Sequence, residues 1–144
     1  LHTNDAVGSV TRLMDMGVEP YLVASSLLGV MAQRLIRVNC PECVTEEKID
    51  LHIRQTLKLG ADEKFKRGEG CLKCHYTGYH GRTTVTELLS VSNEVSRLII
   101  GGRPAKEITE LAISQGMRTL QENGLELARS GITSIEEVYA LCSE

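Results

Sequence analysis

Two short hooks, Cys40-Pro41-Glu42-Cys43 and Cys71-Leu72-Lys73-Cys74, carry four of the five cysteines of this 144-residue chain. A Cys-x-x-Cys hook folds as a tight knuckle that turns two thiolates toward one metal ion. Two hooks complete the closed tetrahedral set of a structural zinc site and leave no position for water. Closing a loop as long as 44–70 costs roughly 3–4 kcal/mol of chain entropy. Structural zinc returns on the order of 10–16 kcal/mol, so the metal decides the outcome. Four thiolates on Zn(II) make the centre formally dianionic, and Lys64, Lys66, Arg67 and Lys73 stand close enough in sequence to soften that charge, with plain solvation as the alternative for each. Paired disulfides are the competing reading. The odd cysteine count and the lack of a signal-peptide pattern at the start argue against them. A thioredoxin-like redox pair needs only one hook. His75 and His80 flank the site and are surplus to it, and Cys142 is expected to be a buried small hydrophobe.

His2 is the one other residue with a chemical character of interest. Beside Thr3, Asn4 and Asp5 at the start of a helical pattern, it is placed to approach an anion at a helix N-terminus. A solvated bystander is the plain alternative. The 144 residues contain no G-x-x-x-x-G-K-[ST] phosphate loop, no G-x-S-x-G elbow and no H-E-x-x-H pair, so no catalytic step follows from the motifs present.

The rest of the chain must position the four sulfurs. Hydrophobic residues make up 42% and aromatics 3%, so the core is built from Leu, Ile, Val, Ala and Met. A net charge of -3 gives no general drive toward nucleic acid. No apolar run approaches the roughly 20 residues of a membrane span. The first residues, Leu1-His2-Thr3, enter a patterned sequence at once, which reads as a piece of a longer protein.

Asn4 or Asp5 can cap a helix with Ala6, Val10, Leu13 and Met14 on one face, stopped by Gly17. Pro20 opens a second helix to about Leu28. Val30–Val38 is expected as a strand, Glu46–Leu59 as a weakly amphipathic helix against the knuckles, and Phe65 as an anchor. Arg82–Leu89, rich in β-branched residues, is expected to pair antiparallel with Val30–Val38. The metal then ties the stems of an excursion between neighbouring strands. Helices follow over Val95–Ile100, from Pro104 to Gly116, and from two T-x-x-E capping boxes at Thr119 and Thr133.

An ordered set of motifs carries a resemblance. Leu1-His2-Thr3-Asn4-Asp5-Ala6, Met16-Gly17-Val18-Glu19-Pro20 and Ala32-Gln33-Arg34-Leu35 are similar to the C-terminal part of the secretion ATPases that drive type II secretion and type IV pilus assembly. The two hooks resemble that family's tetracysteine segment, followed by Thr77-Gly78-Tyr79-His80-Gly81-Arg82 and Glu87-Leu88-Leu89. Gly116-Met117-Arg118-Thr119-Leu120 and Gly131-Ile132-Thr133-Ser134-Ile135-Glu136-Glu137-Val138 resemble its closing helices. The resemblance spans essentially the whole chain.

It implies an α+β fold: the C-terminal portion of a RecA-like P-loop ATPase core (residues 1–39 and 80–144) with a helical end and an inserted tetracysteine zinc subdomain (residues 40–79). It implies a homo-hexameric, cytoplasmic ATPase held at the inner membrane through a secretion or pilus platform protein. ATP and Mg(II) would bind upstream in the full-length parent, so this chain alone is expected to be inactive. His2 falls on the family's His box, near the terminal phosphate of ATP, where it would sense or stabilise charge rather than act as the base. Structural Zn(II) would sit on Cys40, Cys43, Cys71 and Cys74, and the zinc lobe would pass nucleotide-driven motion to the platform. The alternative from another class is a stand-alone zinc-ribbon module that contacts nucleic acid or protein. The acidic balance, and the lack of aromatics among the basic residues, weigh against nucleic acid.

Overall fold

A computed structural model describes residues 3–142. The chain divides into two compact units. One is formed by the chain up to Gln33 together with Thr86–Leu120, the other by Arg34–Val85 together with the chain from Gln121.

In the first unit, α1 (Ala6–Asp15) starts where the Asp5 carboxylate accepts the Gly8 N–H at 2.6 Å, and Gly17, at φ +96°, lets the chain turn away at its end. Pro20 occupies the first position of α2 (Pro20–Ser26), where its missing N–H breaks no bond. The Ser92 hydroxyl accepts the Val95 N–H and starts α4 (Asn93–Ile100). After the Gly101-Gly102 break, Pro104 leads into α5 (Ala105–Ser114). Helix α1 lies on α2 and α5, and α4 on α2 and α5. Their buried faces are small and aliphatic: Ala6, Val7, Val10, Val23, Val95, Ile99, Ile108 and Ala112.

The strands β1 (Gly29–Asn39) and β4 (Tyr79–Ser90) form a two-stranded sheet, and each runs from one unit into the other. The Val91 N–H donates to Leu28 at one end and the Cys40 N–H to Gly78 at the other, so the pair is antiparallel as expected. The cysteine segment therefore leaves the sheet at the end of β1 and returns at the start of β4.

Within that segment the structure departs from the expected helix over 46–59. Val44–Glu46 is a strand, β2, paired antiparallel with β3 (Lys66–Gly68), with Val44 opposite Gly68 and Glu46 opposite Lys66. Only α3 (Leu51–Thr56) is helical, capped by Asp50. Residues leaving a knuckle are held by the strand returning to the other one, and that pairing overrides the weak helical periodicity.

Phe65 anchors the segment, as expected. Only 2% exposed, it packs with Leu57 against Leu125, Ala128, Ile135 and Val138 of α6 (Leu120–Arg129) and α7 (Ile135–Cys142). The cap of α7 differs from the expected Thr133 box. Ser134 takes the cap, accepting the Glu137 N–H at 3.2 Å, while the Thr133 hydroxyl donates to Arg37 O at 2.7 Å. The Glu47 carboxylate, from the far side of the first hook, accepts the Ile135 N–H at 2.7 Å and the Glu136 N–H at 3.4 Å.

Two glycines permit the tightest backbone approach in the second unit. A Cβ at Gly68 would stand 2.1 Å from Gly78 O, and one at Gly78 would stand 2.3 Å from Gly68 O. Gly68→Ala is therefore expected to lower stability by about 1–3 kcal/mol or more through overpacking against backbone that has no rotamer to give. Gly81→Ala, at φ +84° but with open space around it, is expected to cost only about 1–2 kcal/mol. Urea midpoints of the two variants check the order; an equal loss would deny the crossing its role.

Candidate metal centre

The four predicted sulfurs come together. Cys40 Sγ lies 3.7 Å from Cys71 Sγ, Cys43 Sγ 3.9 Å from Cys74 Sγ, and Cys71 Sγ 3.7 Å from Cys74 Sγ. All four lie within 4.8 Å of one another. A zinc ion with Zn–S bonds of about 2.3 Å sets tetrahedral S···S edges of about 3.8 Å. A disulfide would require about 2.05 Å. The five cysteines are free, and the spacing fits a metal ion rather than disulfides.

Backbone N–H groups are aimed at the sulfurs. Gly70 N–H donates to Cys43 Sγ at 3.3 Å, Cys71 N–H to Cys74 Sγ at 3.2 Å, and Gly78 N–H to Cys74 Sγ at 3.3 Å. Such donors favour a sulfur that carries charge. Burial raises the Cys74 thiol, but the Cys71 and Gly78 N–H groups outweigh it and bring the group down to about 6. Cys43, with burial opposed by one N–H, is pushed up to about 12. A divalent cation bound here would favour the thiolate form of its ligands.

The second hook is a single 3-10 turn, Leu72–Cys74, followed by His75 and Tyr76 in the left-handed region at φ 53° and 61°. Two consecutive non-glycine residues there are held by the Tyr76 N–H to Cys71 O bond at 2.8 Å and by the Thr77 hydroxyl on Cys74 O at 2.7 Å. Across the two hooks, Lys73 pairs with Glu42 at 3.7 Å. Of the basic residues expected to soften the site, Lys73 is taken by that pair and Arg67 by an ion pair with Glu136. His75 and His80 are exposed and outside the sulfur cluster. Cys142 also lies outside it and is exposed, contrary to the buried position expected, because it ends the last helical turn. His2 lies outside the described residues.

The hooks do not show which neighbours support them. The Tyr79 ring, 6% exposed, lies under the Arg37 guanidinium, 4.0 Å from the ring centre, and its hydroxyl shares a 2.6 Å hydrogen bond with Ser134. Arg37 also binds Glu137 through Nε and its backbone N–H. Buried Asn39, beside Cys40, donates to Lys66 O at 2.9 Å and Gly131 O at 3.1 Å. Asn and Tyr next to a hook were the available signals, but neither type names its partner.

The geometry defines a class: a chain whose four thiols, at tetrahedral spacing, close the neck of an excursion between two antiparallel strands. Residues 1–140 match the family described as Type II/IV secretion system protein, and the chain belongs to it. It is 45% identical to the type IV pilus assembly ATPase PilB of Thermus thermophilus, over 97% of this chain and 16% of that protein. It is 43% identical to the type II secretion system ATPase E of Vibrio cholerae, over 100% of this chain and 29% of that protein. The type II secretion system protein HxcR of Pseudomonas aeruginosa is 45% identical over 96% of this chain and 26% of its own length. The chain thus spans less than a third of each of these relatives. Among the described residues no helix is long and apolar enough to cross a membrane.

Proposed function

We propose that this chain is the C-terminal region of a cytoplasmic ATPase that powers type II protein secretion or type IV pilus assembly, working as a homo-hexamer at the inner membrane through a platform protein. The observation that carries the reading is the tetrahedral set of thiols at the point where the chain leaves and rejoins the β1–β4 sheet, in a member of this family. Residues 1–39 and 80–144 are the end of a RecA-like core, and 40–79 is its zinc-stapled insertion. The zinc is structural, since four thiolates leave no coordination position for substrate. ATP and Mg(II) bind in the parent through upstream motifs, with His2 near the terminal phosphate.

Two measurements test this. The isolated chain is expected to show no ATP turnover above a buffer control, because no phosphate loop lies within the 144 residues; turnover that survives removal of contaminating ATPases would overturn the assignment of catalysis to upstream residues. In the full-length parent, Cys71→Ser is expected to lose both zinc and secretion or piliation. Loss of zinc with undiminished export would show the insertion to be dispensable.

A further inference from the structure

Each of the four chain segments leading into or out of the hooks contacts the same short stretch, the elbow between α6 and α7 and the first turn of α7. Before Cys40, the Asn39 side chain donates to Gly131 O, its backbone N–H donates to Ile132 O at 2.8 Å, and Arg37 O accepts from Thr133. After Cys43, Glu47 accepts the first two N–H groups of α7. Before Cys71, Arg67 pairs with Glu136. After Cys74, the Tyr79 hydroxyl meets Ser134, the cap of α7. At the sulfurs all four segments also meet each other.

We propose that the four stems form a metal-dependent clasp on the α6–α7 elbow, so that metal occupancy sets whether the C-terminal helix α7 is docked. This rests on the zinc reading above. The energetics favour coupling over independent contacts. Helix α7 has eight residues, too short to persist without tertiary support. Its first two N–H groups have their partner on Glu47, which is 8% exposed, and its cap residue bonds to Tyr79. With the sulfurs unlinked, the stems keep only their pairwise contacts, such as the β2–β3 pairing and the Cys40 N–H to Gly78 O bond, and Glu47 and Tyr79 are held less closely to α7. The first two N–H groups of α7 then lose their acceptor, and its Ser134 cap loses the bond to Tyr79. Because binding linkage is reciprocal, residues of the clasp that never touch the metal must in turn contribute to holding it.

The test uses the zinc-loaded chain, with metal content measured directly. Glu47→Gln and Tyr79→Phe, singly and together, are compared with the parent sequence in two readouts: zinc retention against a competing chelator, and hydrogen exchange of the α7 amides with α4 as the reference. The double variant is expected to take up one zinc, to hold it about 5-fold or more weakly, and to exchange faster over 135–138 while 95–100 is unchanged. Removing zinc from the parent sequence is expected to produce the same α7 signature. Zinc affinity unchanged within about 2-fold while α7 loses protection would overturn the clasp and leave the zinc reading standing. So would α7 protection that survives complete removal of the metal. A chain that takes up no zinc would remove the premise, and the clasp with it.

Discussion

Cys74→Ser is expected to purify without zinc, where the parent chain carries one ion, and to unfold about 10–20 °C lower. Structural zinc supplies about 10–16 kcal/mol in small metal-stapled domains, as much as or more than the 5–15 kcal/mol net stability of an ordinary domain. The segment between the hooks has little regular structure of its own: its β2–β3 pair is three residues a side, and α3 has no buried residue. Cys74 is the most informative ligand to remove. It accepts two backbone N–H bonds, and its thiol is brought down to about 6. Serine keeps the size but offers a hydroxyl that stays protonated, so the fourth ligand is lost while the turn is sterically unchanged. Cys142→Ser is the control, expected to keep its zinc and its midpoint. Elemental analysis with thermal unfolding decides; zinc retained by Cys74→Ser, or lost by Cys142→Ser, would mean that the ligand set is wrong.

The sulfur cluster and the strands that carry it were legible because both rest on local rules. A hook is its own signal. Val30–Val38 and Arg82–Leu89 were found by residue type, and their pairing follows from the excursion that begins after one and ends before the other. What was not legible depends on partners distant in sequence. Val44–Glu46 is a strand only because Lys66–Gly68 lies beside it, and nothing in Val-Thr-Glu selects that partner. The α7 cap moved one residue because Arg37 O claims the Thr133 hydroxyl, leaving Ser134 to take the cap. Glu47, between Glu46 and Lys48 in the sequence, is buried against α7. Burial pushes its carboxyl up from the usual range, and the Ile135 and Glu136 N–H groups pull the other way. Phe65 and Leu57 likewise find their apolar partners on α6 and α7, much further along the chain.

The second large effect belongs to a residue for which the sequence did hold a clue. In β4, Val85, Glu87 and Leu89 share one face by the two-residue alternation of a strand, and all three are buried. A glutamate in an inward row needs a reason, and it has one. Its Oε1 accepts the Ala6 N–H at 2.9 Å and its Oε2 the Leu120 N–H at 2.9 Å, the first residues of α1 and α6. Each helix start carries roughly half a positive charge, so two of them together match one carboxylate. Glu87→Ala would orphan two buried donors at about 1–3 kcal/mol each, and the expected loss is about 2–6 kcal/mol. Glu87→Gln separates this account from its rival. The amide oxygen still serves one N–H, but the NH2 faces the other as donor against donor and the charge is gone, so it should lose a large part of the same stability. If Glu87 were merely a charge tolerated in the core, removing that charge at constant shape would be neutral or stabilising. Urea midpoints for the two variants decide, and a glutamine variant at or above the parent's stability would refute the shared cap.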